Sequence, residues 1–406
     1  MQIQPILAAL RKHRLATLLI ALEVALACAV LCNACSMIAD RLSAMRINSG
    51  VDEASLGVIH ITGYEPKDVN DLNARMLAGL RGIAGVQSAA VISSVPFGVP
   101  WGTAGINLNP DDNKPSQSVV VQFYEGSPGV IETLGLRLVA GHMPGADDYP
   151  PLQGYAPLDS RVLITRALAE RLWPGENPLG RDFWTGKFHF RVIGVIAHLA
   201  VSQYNETGRN GAEWTVFVPS QPGGLLAGTY VLRADPRELP RVMRDARLAV
   251  AKIAPDVVLD TDQSRTLEFL RARFFQKDRA MAGLLVGVIA ALLLVTSLGI
   301  VGLASFWVAQ RHKQIGIRRA LGARRADILH YFQTENFLIV TFGIVPGIVM
   351  ALAINLTLMK FYELPRLPLL YLPIGAVVLW ALGQLAVLHP ALRAAAVPPV
   401  VATRTV

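Results

Sequence analysis

Charge is scarce in this sequence. Asp, Glu, Lys and Arg make up 17% of its 406 residues, below the usual quarter, while 52% are hydrophobic. A single soluble core does not need that balance; membrane segments do. Cysteine is confined to one short stretch, Cys28, Cys32 and Cys35, so the long region that follows has no disulfide framework and must rely on its own packing. Nucleotide and catalytic motifs are missing too. The nearest approach to a phosphate loop, Gly175-Glu176-Asn177-Pro178-Leu179-Gly180-Arg181-Asp182, has Arg-Asp where Lys-Ser/Thr would hold phosphate and magnesium. No His-Glu-x-x-His and no Gly-x-Ser-x-Gly occurs, and the eight histidines are scattered. His189 and His198, which flank a strand, read as surface or satisfied histidines rather than catalytic ones. The expectation is a chain without catalytic, cofactor or metal residues, whose energy comes from another protein.

What the chain does have is a long apolar run followed by a basic one. Met281 to Val308 is 28 residues without a charge, about 42 Å as a helix at about 1.5 Å per residue. That exceeds a hydrocarbon core of about 30 Å, so the helix tilts or projects. Gln310 to Arg325 then carries six Lys/Arg and no acid, which places it in the cytoplasm by the positive-inside rule. The formal charge of +8 follows the same logic. Residues 40–279 hold 25 basic against 26 acidic side chains, and the excess lies in the membrane-flanking remainder. Lipid bilayer, not nucleic acid, is the partner that this distribution implies.

The organisation expected is an α-helical membrane protein with four transmembrane helices and a large extracytoplasmic α/β domain between helices 1 and 2. Residues 1–14 form a cytoplasmic amphipathic lead-in and 15–38 the first span, too long for a cleaved signal peptide. Within it the three cysteines share one face, as small packing residues or, less simply, a metal site; Glu23 is an intramembrane carboxylate, functional or paired within the bundle. Residues 39–280 make the outer domain. Strand-length apolar stretches recur at 58–62, 88–92, 118–123, 162–164, 191–196, 214–218 and 229–232. Helical stretches lie at 69–83, 166–172 and 239–254. The remaining segments are span 2 (281–308), a cytoplasmic segment (309–335), span 3 (336–361), an outside turn (362–368), span 4 (369–388) and a cytoplasmic tail (389–406). Gly283 and Gly287 in span 2, and Gly343, Pro346 and Gly347 in span 3, are small-residue and kink signals for close helix packing.

The cytoplasmic segment has a plain reading, a charge cluster holding the membrane orientation. Its interleaved Ile315, Ile317, Ala320 and Leu321, with Gly316 and Gly322 suited to tight turns, fit a short packed helix that docks on a partner. Here the sequence resembles a known family, the FtsX-like permeases with a MacB-type periplasmic core. Arg311-His312-Lys313-Gln314-Ile315-Gly316-Ile317-Arg318-Arg319-Ala320-Leu321-Gly322-Ala323, with Glu335 following, looks like the family's signature. Leu134-Gly135 through Gly141-His142, Ala167 through Pro174, Asn177-Pro178-Leu179-Gly180, Val192 through Ile196 and the closing Pro398 through Arg404 follow in the family's order. Departures are Gln314 where Glu is usual, His142 for Arg, and Thr165-Arg166 for Asn-Glu; the first removes a possible ion pair with a neighbouring Arg.

The resemblance implies a non-catalytic permease subunit of an inner-membrane ABC transporter, with 309–400 as the FtsX-like region and both termini cytoplasmic. It further implies a separate cytoplasmic ATPase that carries ATP and Mg, a second permease as homo- or heterodimer partner, and a periplasmic adaptor and outer-membrane channel as further candidate partners. The coupling residues implied are Arg311, Lys313, Gln314, Ile315, Gly316, Arg318, Arg319, Leu321, Gly322, Ala323 and Glu335. Export of a hydrophobic or peptide-like compound is the function expected. A signalling module that moves a periplasmic partner without transport is the alternative, and a membrane-anchored enzyme lacks its catalytic set.

Overall fold

The computed structural model describes residues 14–110, 119–204, 208–320, 322–362 and 366–396. Most of the lead-in, Leu321, part of the 362–368 turn and the tail from 397 lie outside the described residues. The chain divides into two compact units, residues 46–276 and the membrane helices on either side of them in sequence.

In the outer unit, β1 (Leu56–Thr62), α2 (Val69–Arg81), β2 (Val86–Val91), β10 (Thr229–Ala234), α5 (Leu239–Ile253) and β11 (Val258–Leu259) form a four-stranded antiparallel sheet ordered β11-β1-β10-β2. This is a ferredoxin-like split βαβ arrangement. Alternation along β1 and β10, and the 3.6-residue period of Leu72, Met76 and Leu80, bury one continuous core against Val242, Met243 and Ala246 of α5.

Between β2 and β10 the chain inserts a seven-stranded mixed sheet. Its strands are β3 (Thr103–Ile106), β4 (Val119–Gly126), β5 (Leu138–Gly141), β6 (Asp159–Thr165), β7 (Asp182–Thr185), β8 (Phe188–Ile196) and β9 (Thr215–Pro219). The order is β3-β4-β9-β6-β8-β5, with β7 on β8. The pairs β4–β9 and β6–β8 are parallel, which demands the crossovers that α3 (Val130–Leu134) and α4 (Arg166–Leu172) help to supply. Its core gathers Phe123, Phe183, Phe190 and Trp173. A last short helix, α6 (Leu267–Phe274), closes the unit.

The membrane unit holds four helices long and apolar enough to cross a bilayer: α1 (Arg14–Met45), α7 (Gln276–Gln310), α9 (Arg325–Tyr362) and α10 (Tyr371–Ala396). Each extends past the hydrophobic run expected for it, because helical hydrogen bonding continues into the flanking polar residues. The start of α9 takes in eleven residues expected to lie in the cytoplasmic segment. The helix also runs on through Pro346.

Glycine decides which helices touch. A Cβ at Gly343 would meet the Ala21 carbonyl and Val24 Cβ, each at 2.7 Å, and one at Gly347 would meet Cys28 Cβ at 2.7 Å. One step further on, buried Asn33 donates to the Ala351 carbonyl at 3.1 Å. These pairings rise together in sequence, so α1 and α9 run in the same direction. On the other side of α9, the indole N–H of Trp380 donates to Thr341 at 3.1 Å, and its ring stacks on Phe337. Cys28 and Cys32 are buried packing residues, and a Cβ at Gly375 would sit 2.6 Å from Cys32 Sγ. Glu23 packs its carboxylate against Gly299 of α7.

The expectation for Gly283 and Gly287 needs correction. A Cβ at either would meet nothing within 4 Å, so no close helix approach occurs there among the described residues of this chain. Apart from Ala282, the buried positions of α7 are Thr296, Ile300, Ala304, Trp307 and Val308, in its second half and beyond the two glycines.

Candidate coupling site

The basic passage folds as a short helix, a turn and the start of α9. Helix α8 spans His312–Ala320. Gly322 makes the reversal in a left-handed conformation, φ +95°, which side chains disfavour. The next N–H, that of Ala323, donates back to the Arg318 carbonyl at 3.1 Å and satisfies an acceptor left open by the end of α8. Across the turn, the Asp327 carboxylate accepts from the Arg324 N–H at 2.9 Å and sits at the positive end of α9.

Two of the expected residues, far apart in sequence, come together. Arg311 Nη1 donates to both carboxylate oxygens of Glu335, at 3.0 and 3.1 Å. The pair is nearly dry, with the side chains 13% and 2% exposed. The guanidinium also lies over the Trp307 ring at 5.7 Å. A second cation, Arg318, covers Tyr331 at 4.9 Å. Ile315 packs with Ile328 and Phe332 of α9, and Gly316 is buried beside it. One face of α8 is therefore fastened to α9 by the Arg318–Tyr331 contact and an apolar patch, and the Arg311–Glu335 ion pair ties the residue just before α8 to the same helix.

The opposite face is uncovered. Ile317 is 47% exposed, and Ala320 is exposed with it. Gln314 lines a water-sized crevice with Arg311, Arg318 and Tyr331; the carboxylate that this position lacks reaches Arg311 from Glu335 instead. Lys313 and Arg319 lie on α8, Ala323 in the turn, and Leu321 outside the described residues. Trp307 and Tyr331 were not expected. The spacing Trp307–Arg311 is visible as an i, i+4 pair, whereas nothing in the sequence links Tyr331 to Arg318. Among the described residues no cluster of His, Cys, Asp or Glu could hold a metal ion.

Residues 286–399, which include this site, match the FtsX-like permease C-terminal family. The chain is 30% identical over 205 residues to the pyoverdine export ATP-binding/permease protein PvdT of Pseudomonas entomophila, covering 48% of this chain and 30% of that one. It is 32% identical over 236 residues to the macrolide export ATP-binding/permease protein MacB of Bradyrhizobium diazoefficiens, covering 55% and 34%. A MacB from Azoarcus sp. is 25% identical over 337 residues, 79% of this chain and 47% of the relative. The chain thus spans less than half the length of these curated relatives. Among solved structures, the periplasmic region of MacB from Actinobacillus actinomycetemcomitans covers 56% of this chain and 96% of its own, at 16% identity and TM-score 0.36. Residues 286–399 are thus an FtsX-like permease C-terminal region, and the chain that carries it is similar to MacB-type export permeases, with an α/β domain inserted between the first and second of four candidate membrane helices.

Proposed function

We propose that this chain is the transmembrane subunit of an ABC exporter, driven by ATP hydrolysis on a separate cytoplasmic ATPase that binds α8. The observation that carries the reading is the two-faced build of α8. Its inner face packs on α9 through Ile315 and Arg318, and the residue just before it, Arg311, is tied to α9 by the buried pair with Glu335, so a push on α8 moves α9 with little slack. Its outer face presents an exposed isoleucine on a helix whose sequence carries Lys313, Arg318 and Arg319 and no acid, a combination suited to an acidic groove with an apolar floor. ATP and Mg belong to the partner, and this chain supplies no cofactor ligand. The excess of Lys/Arg near α8 supports a cytoplasmic position for that helix, with the α/β domain outside an inner membrane and both termini inside.

Most of α7 is uncovered: only 11% of its apolar window is buried, against 33–44% for the other three helices. A second permease copy or a heterologous one would cover that surface, with Gly283 and Gly287 allowing close approach. The cargo is a hydrophobic or peptide-like compound handled by the outer domain, with an adaptor and outer-membrane channel completing the route. The test is affinity purification of the tagged full chain from membranes. A companion ATPase is expected, and Ile317→Asp with Arg318→Glu should lower its recovery about tenfold or more, as for an anchor residue. Unchanged recovery overturns the assignment of α8.

A further inference from the structure

The inserted sheet contains a cavity of about 250 Å³ that the coupling site does not use. Two strands build its apolar wall through the two-residue period: Phe123 from β4, Phe188 and Phe190 from β8. Trp101 and Gly102, just before β3, line another side, and Tyr155, 74% exposed, stands on a loop at the rim. Into this lining the same face of β4 contributes one carboxyl, Glu125, only 2% exposed. The Trp101 indole N–H donates to Glu125 Oε2 at 2.5 Å, and the Glu125 main-chain N–H is held by the Ser93 hydroxyl at 3.0 Å.

A strand that only had to fill a core would carry a Phe or Val at this position. A buried carboxylate is costly unless something compensates it, and among the described residues no Lys or Arg forms an ion pair with Glu125. The ring faces carry negative quadrupole charge, which attracts a cation and repels an anion. The carboxylate asks for the same sign. The volume lies just under the about 300–1,000 Å³ range of drug-sized sites, so the occupant is small. We propose that this cavity is a binding site for a small lipophilic amine, its apolar body held among Phe123, Phe188 and Phe190 and its ammonium on Glu125. The site stands on its own residues, whether or not the chain exports what it binds.

The test uses the full chain in lipid nanodiscs and equilibrium dialysis, with empty discs as the blank. The probes are naphthylethylamine, its uncharged isostere propylnaphthalene, and naphthylacetate. The amine is expected to bind saturably, about tenfold or more tighter than the isostere, as a charge-assisted hydrogen bond implies, with naphthylacetate weakest. Glu125→Gln should bring the amine down to the affinity of the isostere and leave the isostere unchanged. Gly102→Phe, at a lining position where an added Cβ meets no atom within 4 Å, should abolish binding of both without touching the carboxyl. Equal binding of amine and isostere by the unaltered protein overturns the proposal, even if Glu125→Gln fails to fold. So does amine binding that survives both substitutions.

Discussion

Two buried acids dominate the chemistry at the scale of single residues, and they are buried on different terms. Glu335 has its cation. Removing one partner of so dry a pair leaves an uncompensated charge, which costs about 3–5 kcal/mol, whereas replacing both by apolar groups is far milder. Arg311→Met or Glu335→Leu alone should therefore lower the unfolding midpoint of the detergent-solubilised protein markedly, and the double variant should recover most of the loss. Simple additivity of the two losses would mean that the pair does not act as a unit. Glu125 has no such partner. Burial pushes its carboxyl from the ordinary 4.5 up to about 7, with hydrogen bonds from Ser93 and Trp101 pulling the other way. The folded state then holds a proton that the unfolded chain releases earlier. Its contribution to stability is full below about pH 4.5, falls as pH rises towards 7, and is flat above, a loss of about 3 kcal/mol in all. Denaturation midpoints of the native protein and Glu125→Gln, compared from pH 4.5 to 8, should diverge along that curve. Parallel curves would rule out the burial account.

Among elements, helix α9 is the one that everything in the membrane unit leans on. It meets α1 through Gly343 and Gly347, α10 through Phe337 and Thr341, α8 through Tyr331 and Phe332, and the residue before α8, Arg311, through Glu335. Gly347→Leu would drive four carbons into Cys28 and Ala25, contacts already at 2.7 and 2.8 Å for a bare Cβ. Overpacking of this sort costs about 1–3 kcal/mol or more, so the variant should lose several degrees of thermal stability in detergent. Gly287→Leu, with nothing within 4 Å, should lose almost none within a single copy. Equal losses would mean that helix propensity, not packing, governs both. The two glycine motifs looked alike in sequence; only the neighbour across the interface separates them, and a sequence does not state its neighbours. The same limit runs through the outer domain. Strands such as Val58–Thr62 and Thr229–Leu232 were legible because they are short, β-branched apolar runs, and both are buried on nearly every residue. Strands β3, β5 and β7 were not: each is four residues, with too few alternations to register, and Gly105 and Gly141 weaken two of them. Helix α4 was legible to the residue, whereas α3 is a five-residue helix flanked by left-handed glycines at 129 and 135, which read as a turn. At the basic passage the sequence pointed to Arg311 and Glu335 but not to Trp307 or Tyr331, the rings beneath Arg311 and Arg318. The division of α8 into a packed face and an open one was not legible, nor was the Arg311–Glu335 pair, whose members are 24 residues apart and span a reversal.

For the whole molecule the strongest constraint is parity. The α/β domain lies between the first and second candidate spans, and α8 between the second and third. If all four helices cross, one crossing separates the two, so they must face opposite sides of the bilayer. The parallel course of α1 and α9 agrees, because spans one and three must then run the same way. Which side is which rests on charge: α8 and its turn carry the uncompensated cations, and large translocated domains escape that rule. Both statements can be tested in one experiment. With Cys28, Cys32 and Cys35 replaced by alanine, a single cysteine is placed at Leu248 on α5 or at Ile317 on α8, positions 65% and 47% exposed. An impermeant maleimide should label Leu248→Cys in spheroplasts at once, and Ile317→Cys only after the membrane is opened. The reverse pattern would keep the four crossings but invert the orientation, placing the partner ATPase on the wrong side. Labelling of both, or of neither, before opening would break the parity itself, and with it the route by which movement at α8 could reach the outer domain.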